Sequence, residues 1–399
     1  MKWYRNLAEA AIIALDTIFN RHQQADKVVN NLLKSQKKWG SRDRKFVARL
    51  LFDIVRWKRL YEYLSGADML SNEGKWYIIG TWAVLNDIPL PDWDEFKDLK
   101  SDVILKKFQH ITNEAVKQSV PDWLFDLGQD QLKGQWLKIL KALNEEAPVS
   151  IRVNRLKTNP ENLKQRLQKQ GIATYQEAGY PDALFLQERK KLTHLKCYKE
   201  GLFEVQDVSS QLVAPFTGAT AGDIVIDACA GAGGKTLHLA TQMQNKGQIL
   251  AYDIYPSKIE ELRKRAKRNG IKNLAESGVI DSEIVKKNYQ KANILLLDAP
   301  CSSLGTLRRN PGLKWELNPN KVKQINVLQK DILDTYESMI KPGGYLIYVT
   351  CSILPMENEM IVKNFLNKHK NYIFVDEKTI WPSNSKGDGF YMAKLKKQV

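Results

Sequence analysis

The fold of this chain is decided by Asp223-Ile224-Val225-Ile226-Asp227-Ala228-Cys229-Ala230-Gly231-Ala232-Gly233-Gly234-Lys235-Thr236. The first five residues form an apolar run typical of a buried strand, and residues 235–243 carry the pattern of a helix. A strand, a Gly-rich turn and a helix in this order are typical of an α/β domain with a mostly parallel sheet. Glycines let a ligand approach the backbone closely. We therefore expect the turn to bind a ligand through Cys229, Ala230, Gly231, Ala232, Gly233, Gly234 and Lys235.

The spacing of the glycines restricts the kind of ligand. A phosphate-binding P-loop requires a glycine five places before Gly234, and that position is Cys229. A dinucleotide-binding turn requires a third glycine where this chain has Thr236. The remaining candidate is a ligand without a pyrophosphate, such as S-adenosylmethionine, whose methionine and ribose groups can lie against glycines at a helix start.

Beyond the turn, strand and helix patterns alternate over residues 201–399. Strands are predicted at residues 248–253, 278–281, 294–298 and 345–350, with a helix at 257–269. Three of these strands end in Asp253, Asp281 and Asp298, and ligands of such sheets bind at the carboxyl ends of the strands. We expect Asp253 to accept the ribose hydroxyls of the ligand, Asp281 to lie near its adenine amine, and Asp298 to contact it as well.

Two other domains are predicted ahead of this one. Residues 1–145 carry helical patterns, and residues 146–200 form a small α+β subdomain. Within the subdomain we predict strands at residues 149–154, 171–175 and 183–186 and a helix at 160–170.

The charge of the chain indicates a polyanionic partner. The net charge is +16, from 61 Lys and Arg against 45 Asp and Glu. Residues 21–60 hold 12 basic and 3 acidic residues, whereas residues 61–100 hold 3 and 8. A helix with a basic outer face is predicted over residues 41–59, with Ser41 as its N-cap. The tryptophans of this region are expected mainly in the core.

Basic side chains are therefore the candidates for RNA binding. They are Lys45, Arg49, Arg56 and Lys58 on the helical domain, Arg263, Lys264, Arg265, Lys267 and Arg268 on the helix at 257–269, and Arg308 with Arg309 near the strand ends. Of these, Arg308 and Arg309 are the ones we expect to contact the substrate directly.

Two cysteines follow strand ends and indicate the chemistry. They occur in Asp298-Ala299-Pro300-Cys301-Ser302-Ser303 and Thr350-Cys351-Ser352. A thiolate that adds to carbon 6 of cytosine activates carbon 5 as a nucleophile toward an electrophilic methyl group. A base must then remove the proton from carbon 5, and an acid at the N3 edge of the ring assists the addition. Cys301, Cys351 and Asp298 together meet these needs. Cys197 and Cys229 are interpreted as packing residues.

The chain resembles the Sun/Fmu-type (RsmB-like) family of RNA cytosine-5 methyltransferases over residues 151–399. The resemblance rests on Arg152-Val153-Asn154, Gln206-Asp207-Val208-Ser209-Ser210, the turn at 227–236, residues 298–306 with Arg308-Arg309-Asn310-Pro311, Lys341-Pro342-Gly343-Gly344, Thr350-Cys351-Ser352, Glu357-Asn358-Glu359 and Asp388-Gly389-Phe390-Tyr391. It implies a Rossmann-like catalytic domain at 201–399 that uses S-adenosylmethionine, an RRM-like subdomain at 146–200, and an antiterminator-like RNA-binding domain at 1–145.

The resemblance also implies roles for single residues. Cys351 would be the nucleophile, Cys301 would assist proton removal or release of the adduct, and Asp298 would contact the base and the cofactor. DNA cytosine-5 methyltransferases use the cysteine of their Pro-Cys motif instead, so Cys301 competes for the role of nucleophile. One departure from the family is Gly231-Ala232 in place of the usual Ala-Pro, which loosens the turn.

Other functions remain open on the sequence. Methylation of an exocyclic amine or a protein side chain is one, although such enzymes use Asn/Asp-Pro-Pro-Tyr-like groups. A non-catalytic RNA-binding or assembly protein that retains the fold is another. Small-subunit ribosomal RNA is the favoured substrate and transfer RNA the second. Four cysteines without a CxxC pair predict neither a disulfide framework nor a metal site. We expect a cytoplasmic monomer without a membrane span.

Overall fold

The computed structural model describes residues 3–399, which form two compact units. The first, the helical unit, consists of residues 3–144 and the segment Leu307–Pro319. The second, the α/β unit, consists of Glu145–Thr306 and Asn320–Val399. The predicted small subdomain and catalytic domain thus lie within one unit, and the three-part division stays a prediction.

The helical unit buries one large apolar core. Its helices are α1 (Arg5–Phe19), α2 (Ala25–Ser35), α3 (Ser41–Ser65), α4 (Asn72–Leu85), α5 (Ser101–Gln109), α6 (Glu114–Lys117), α7 (Asp122–Leu132) and α8 (Trp136–Asn144). The apolar stripe of α3 faces the core as predicted, but Ser41 is not its N-cap. The cap is Gly40, whose N–H donates to the Asp43 carboxylate at 3.1 Å. Trp3, Trp82 and Trp136 are buried, as expected for core residues.

The α/β unit begins with a small antiparallel sheet. Its elements are β1 (Ser150–Val153), α9 (Pro160–Gln168), β2 (Thr174–Tyr175), β3 (Ala183–Leu186), α10 (Lys196–Lys199) and β4 (Phe203–Val205). The strand order is β2-β3-β1-β4. In the pairing of β1 with β4, Arg152 lies directly opposite Glu204.

The rest of the α/β unit is a Rossmann-like domain with a seven-stranded sheet of order β10-β11-β9-β8-β5-β6-β7. Its elements are α11 (Val208–Gln211), α12 (Val213–Thr217), β5 (Ile224–Asp227), α13 (Gly234–Gln242), β6 (Gln248–Asp253), α14 (Pro256–Asn269), β7 (Leu274–Val279), α15 (Ser282–Lys287), β8 (Ala292–Asp298), α17 (Pro319–Tyr336), β9 (Ile340–Thr350), α18 (Glu359–Lys368), β10 (Tyr372–Ile380) and β11 (Phe390–Lys397). The short helix α16 (Leu313–Glu316) lies between β8 and α17 in the chain and belongs to the helical unit.

The sheet confirms the predicted fold class, because β7, β6, β5, β8 and β9 run parallel. The last two strands, β11 and β10, add in antiparallel order beyond β9. In the register, Asp227 pairs with Leu296 and with Ala251, and Asp298 pairs with Val349. The carboxyl ends of β5, β8 and β9 therefore meet at one edge of the sheet, where the Gly-rich turn and the two cysteine loops follow them.

The segment Leu307–Pro319 is attached to the helical unit through hydrogen bonds of the buried Lys314 amine. Lys314 is fully buried, and its Nζ donates to the carbonyls of Arg56 at 3.0 Å and Ser119 at 3.1 Å. It also donates to Asn144 Oδ1 at 2.6 Å. Burial, with a smaller effect from Arg56, lowers the pKa of Lys314 well below its ordinary value. The segment is therefore an integral part of this core, although the sequence places it in the catalytic domain.

None of the helices formed by residues 3–399 has both the length and the apolar character that a membrane-spanning helix requires.

Candidate active site

The Gly-rich turn after β5 is held in a single backbone conformation. Gly231 and Gly233 have φ values of 52° and 86°, a region that favours glycine. A Cβ on Gly233 would lie 2.7 Å from Leu262 Cγ, whereas a Cβ on Gly231 would meet no atom within 4 Å. The Gly231 N–H donates to Asp253 Oδ2 at 2.8 Å. The turn is thus closely packed on its helix side and has space for a ligand in front of Gly231.

Three carboxylates are expected to bind the cofactor beyond this turn: Asp298 pairs with Lys235 of the turn, Asp253 contacts Gly231, and Asp281 makes neither contact. Asp253 ends β6, is nearly buried, and accepts hydrogen bonds from Gly231 and from the N–H of Tyr255 at 2.9 Å. Asp281 instead follows the end of β7 by two residues, is exposed, and caps α15 by accepting from the Ile284 N–H at 2.8 Å. Its assignment to an adenine amine stays a prediction, and capping accounts for its present contacts.

The start of the turn contains a buried carboxyl group that no sequence argument assigned. Asp227 is fully buried and accepts a hydrogen bond from Thr236 Oγ1 at 2.7 Å. Burial, together with the nearby charge of Asp298, raises the pKa of Asp227 to about 7. Burial likewise raises the pKa of the Cys229 thiol well above its ordinary value, in agreement with a packing role.

Lys235 and Asp298 form an ion pair at the centre of the site. Lys235 Nζ lies 2.6 Å from Asp298 Oδ2 and 5.1 Å from the centroid of the Phe390 ring. Burial opposes the charged form of Lys235, but the contact with Asp298 outweighs it, and the pKa of Lys235 is raised. The pair joins the start of α13 to the end of β8, so the Gly-rich turn and the Pro-Cys loop share one electrostatic contact.

The two predicted active-site thiols lie side by side. Cys301 Sγ and Cys351 Sγ are 3.4 Å apart, and Ser303 Oγ is 3.3 Å from Cys351 Sγ. The hydrogen bonds with Cys301 and, to a smaller extent, with Ser303 lower the pKa of Cys351, although burial opposes this. The same contact raises the pKa of Cys301 well above its ordinary value, with burial acting in the same direction. Of the two thiols, Cys351 is therefore the easier to ionise, and Cys301 is the one that holds its proton more tightly.

A buried glutamate connects the two cysteine loops. Ser302 and Ser352 directly follow the two cysteines, and both of their hydroxyls donate to Glu357 Oε2 at 2.5 Å. The Ser302 N–H donates to Glu357 Oε1 at 2.7 Å. Burial raises the pKa of Glu357, although these hydrogen bonds oppose the rise. In the sequence, Glu357 is recognisable only as part of a motif shared with the family. Periodicity does not indicate that its carboxylate binds residues of both cysteine loops.

The predicted RNA-binding side chains differ in what they contact. Arg308 is only 5% exposed, and its Nε donates to the Ala142 carbonyl at 2.8 Å, which does not fit the predicted direct contact with RNA. Arg56 Nη2 donates to the Arg308 carbonyl at 2.8 Å, and Lys58 pairs with Glu62 at 2.7 Å. These three side chains are used inside the helical unit.

Other basic residues remain at the surface. Lys45 and Arg49 on α3 are exposed, as are Arg263, Lys264 and Lys267 on α14. Arg309 is half-buried. Arg265 and Arg268 on α14 instead pair with the buried Glu204, the first at 2.9 Å. Five basic residues of α14 were predicted to bind RNA, and the structure divides them into three exposed residues and two that pair with Glu204.

Comparison with known protein families gives two matches. The family described as 16S rRNA methyltransferase RsmB/F matches residues 217–396. The family described as Methyltr_RsmF/B-like, ferredoxin-like domain matches residues 120–193.

Two relatives align over most or all of the chain. A ribosomal RNA small subunit methyltransferase B of Salmonella paratyphi A is 33% identical over 74% of this chain and 72% of its own length. The Escherichia coli O6:K15:H31 protein of the same name is 29% identical over the full length of both chains.

Solved structures show the same architecture. The crystal structure of PH0851 aligns over the full length of both chains with 25% identity and a TM-score of 0.83. A methyltransferase homologue from Pyrococcus horikoshii covers 71% of this chain and 97% of its own, with 25% identity and a TM-score of 0.62.

Proposed function

Because the chain belongs to the RsmB/F family of 16S rRNA methyltransferases, we propose that it methylates carbon 5 of a cytosine in small-subunit ribosomal RNA. Family membership supports the coarser activity, methyl transfer from S-adenosylmethionine to RNA. The finer assignment rests mainly on one observation, the thiol pair of Cys301 and Cys351 at 3.4 Å beside the Gly-rich turn.

The residues of the turn fit S-adenosylmethionine. The open space in front of Gly231 and the Asp253 carboxylate at the end of β6 suit a ribose, and Lys235 with Asp298 lies at the next strand end. The bound cofactor supplies an electrophilic methyl group.

The two thiols divide the remaining work. The Cys351 thiolate forms a bond to carbon 6 of the cytosine, which makes carbon 5 nucleophilic toward the methyl group. Cys301, as the partner sulfur, assists the transfer of the carbon 5 proton to solvent water, and the bond between Cys351 and carbon 6 then breaks with return of its electron pair to sulfur. We assign Asp298 to the N3 edge of the base, where its carboxylate, with Lys235 as counter-charge, accepts a hydrogen bond from the exocyclic amine beside N3.

The thiol roles are tested by trapping the covalent adduct. Labelled RNA with the target cytosine is incubated with cofactor and the Cys351→Ala or Cys301→Ala variant, and the products are separated on a denaturing gel. We expect no adduct for Cys351→Ala and an accumulated protein–RNA adduct for Cys301→Ala. Cys197→Ala, which changes a buried thiol on α10, serves as the control and should behave as the wild type. The reverse pattern would exchange the roles of Cys301 and Cys351.

RNA binding is proposed for the exposed basic residues Lys45, Arg49, Lys264 and Lys267, and for Arg309. Each phosphate contact that is removed should reduce the slope of log binding constant against log salt by about one. Lys45→Gln with Arg49→Gln is therefore expected to reduce the slope by about two. An unchanged slope would place the RNA elsewhere. Ribosomal RNA as substrate also supports a cytoplasmic location, where reducing conditions keep both thiols free.

A further inference from the structure

Two arginines hold the carbonyl groups on either side of Gly233. Arg265 Nη1 donates to the Ala232 carbonyl at 2.6 Å, and Arg152 Nη1 donates to the Gly234 carbonyl at 2.8 Å. Gly233 between them has a φ of 86°, a conformation that the chain leaves easily unless its neighbours fix it. The backbone of the Gly-rich turn is therefore held by hydrogen bonds from two guanidinium groups. Hydrogen bonds from a charged donor are stronger than those between neutral groups.

Both arginines are in turn fixed by the small antiparallel sheet. Arg265 Nη2 lies 2.9 Å from Glu204 Oε2, and Arg152 Nη1 donates to Gln206 Oε1 at 2.7 Å. Glu204 is 3% exposed and lies opposite Arg152 in the pairing of β4 with β1. Burial opposes the charge of Glu204, but its arginine partners lower its pKa, so the carboxylate stays ionised. The guanidinium groups thus have a rigid, charged anchor.

We propose that Arg265 and Arg152 are positioning residues for the cofactor, through which the small sheet sets the shape of the S-adenosylmethionine-binding turn. This inference rests on the proposed function only in that the turn binds S-adenosylmethionine. It gives the small sheet a role in cofactor affinity without any contact to the cofactor itself.

The departure at Ala232 fits this arrangement. Proline at position 232 would restrict φ of the turn by its ring. Alanine does not restrict φ in this way, so the turn has more conformational freedom. The hydrogen bond from Arg265 to the Ala232 carbonyl removes part of that freedom. We therefore expect the conformation of the turn to depend more on the hydrogen bond from Arg265 than on the one from Arg152.

The test compares two arginines on the same helix. Arg265→Gln removes the contact to Ala232, whereas Arg263→Gln removes the same charge from α14 at an exposed position whose guanidinium contacts Ser277 on β7. Binding of S-adenosylmethionine is measured by calorimetry, and the methyl-transfer rate is measured at saturating cofactor. We expect Arg265→Gln to weaken cofactor binding about tenfold, with kcat retained once the cofactor saturates. We expect Arg263→Gln to match the wild type in cofactor affinity, because Arg263 does not contact the turn.

A rescue variant separates positioning from folding. Ala232→Pro in the Arg265→Gln background should restore most of the lost affinity, because the ring again limits the turn. If Arg265→Gln does not fold, Glu204→Gln takes its place, since it loosens Arg265 but leaves the guanidinium present. Equal cofactor affinity in the Arg265→Gln and Arg263→Gln proteins, or in Glu204→Gln and the wild type, would overturn the inference. Absence of cytosine methylation by a wild type that binds cofactor would instead count against the proposed function alone.

Discussion

The buried carboxyl of Asp227 makes stability depend on pH in an unusual direction. Burial and the charge of Asp298 raise the folded-state pKa of Asp227 to about 7, from the 3.8 that is ordinary for an aspartate. A raised folded-state pKa contributes stability that is complete below the unfolded pKa and is lost as pH rises through the folded pKa. At about 1.36 kcal/mol for each pH unit, ionisation of Asp227 lowers the free energy of unfolding by about 4 kcal/mol.

Asp227→Asn removes this dependence with little change of shape. The amide keeps one oxygen to accept from Thr236 and cannot ionise. Between pH 4 and pH 8, the wild type should therefore lose about 4 kcal/mol of unfolding free energy relative to Asp227→Asn.

The assay is urea unfolding followed by circular dichroism at several pH values, because the difference between two proteins cancels the titration of all other groups. Asp281→Asn is the control, since an asparagine caps α15 as well as an aspartate does. A difference between the wild type and Asp227→Asn that stays constant from pH 4 to pH 8 would refute the reasoning.

Three further substitutions probe the turn, the thiols and the helical unit. Gly233→Ala places a Cβ 2.7 Å from Leu262 Cγ at a φ of 86°. We expect the free energy of unfolding to fall by about 1–3 kcal/mol and the cofactor to bind more weakly. An unchanged cofactor affinity would contradict the idea that binding requires this conformation of the turn. Cys301→Ala removes the donor that lowers the pKa of Cys351, and alkylation of Cys351 at neutral pH, followed by mass spectrometry, should slow roughly tenfold; an equal rate would exclude that donor. Lys314→Met leaves the carbonyls around the buried amine without a donor, and urea unfolding should show a loss of about 2–3 kcal/mol; a stable variant would show that the amine is dispensable.

The sequence predicted the centre of the sheet well because its strands are apolar throughout. The strand at 248–253 matches β6, and the helix at 257–269 is one residue shorter than α14. The strand predicted at 278–281 was displaced, since β7 spans Leu274–Val279. This edge strand includes Glu276 and is only half-buried, so it lacks the apolar run that marks the central strands.

The contacts that complete the site could not be predicted from local pattern. Glu357 meets Ser302 and Ser352 only after the sheet has brought two distant loops together. Arg265 looks like any other member of a basic run, yet it lies on the face of α14 that meets Glu204. Which partner a charged side chain finds depends on the tertiary fold, whereas periodicity reports only which face of an element is buried.

The position of Leu307–Pro319 has a consequence for synthesis of the protein. The eight helices of residues 3–144 emerge from the ribosome first, but their core is complete only when Lys314 inserts its amine among the carbonyls of Arg56 and Ser119. Until then the Lys314 donor is missing from these carbonyls, and completion of the helical core depends on a distant part of the chain. A gene truncated before residue 307 is therefore expected to yield an incomplete helical unit, and one truncated to begin at residue 145 would leave the inserted segment without its surroundings.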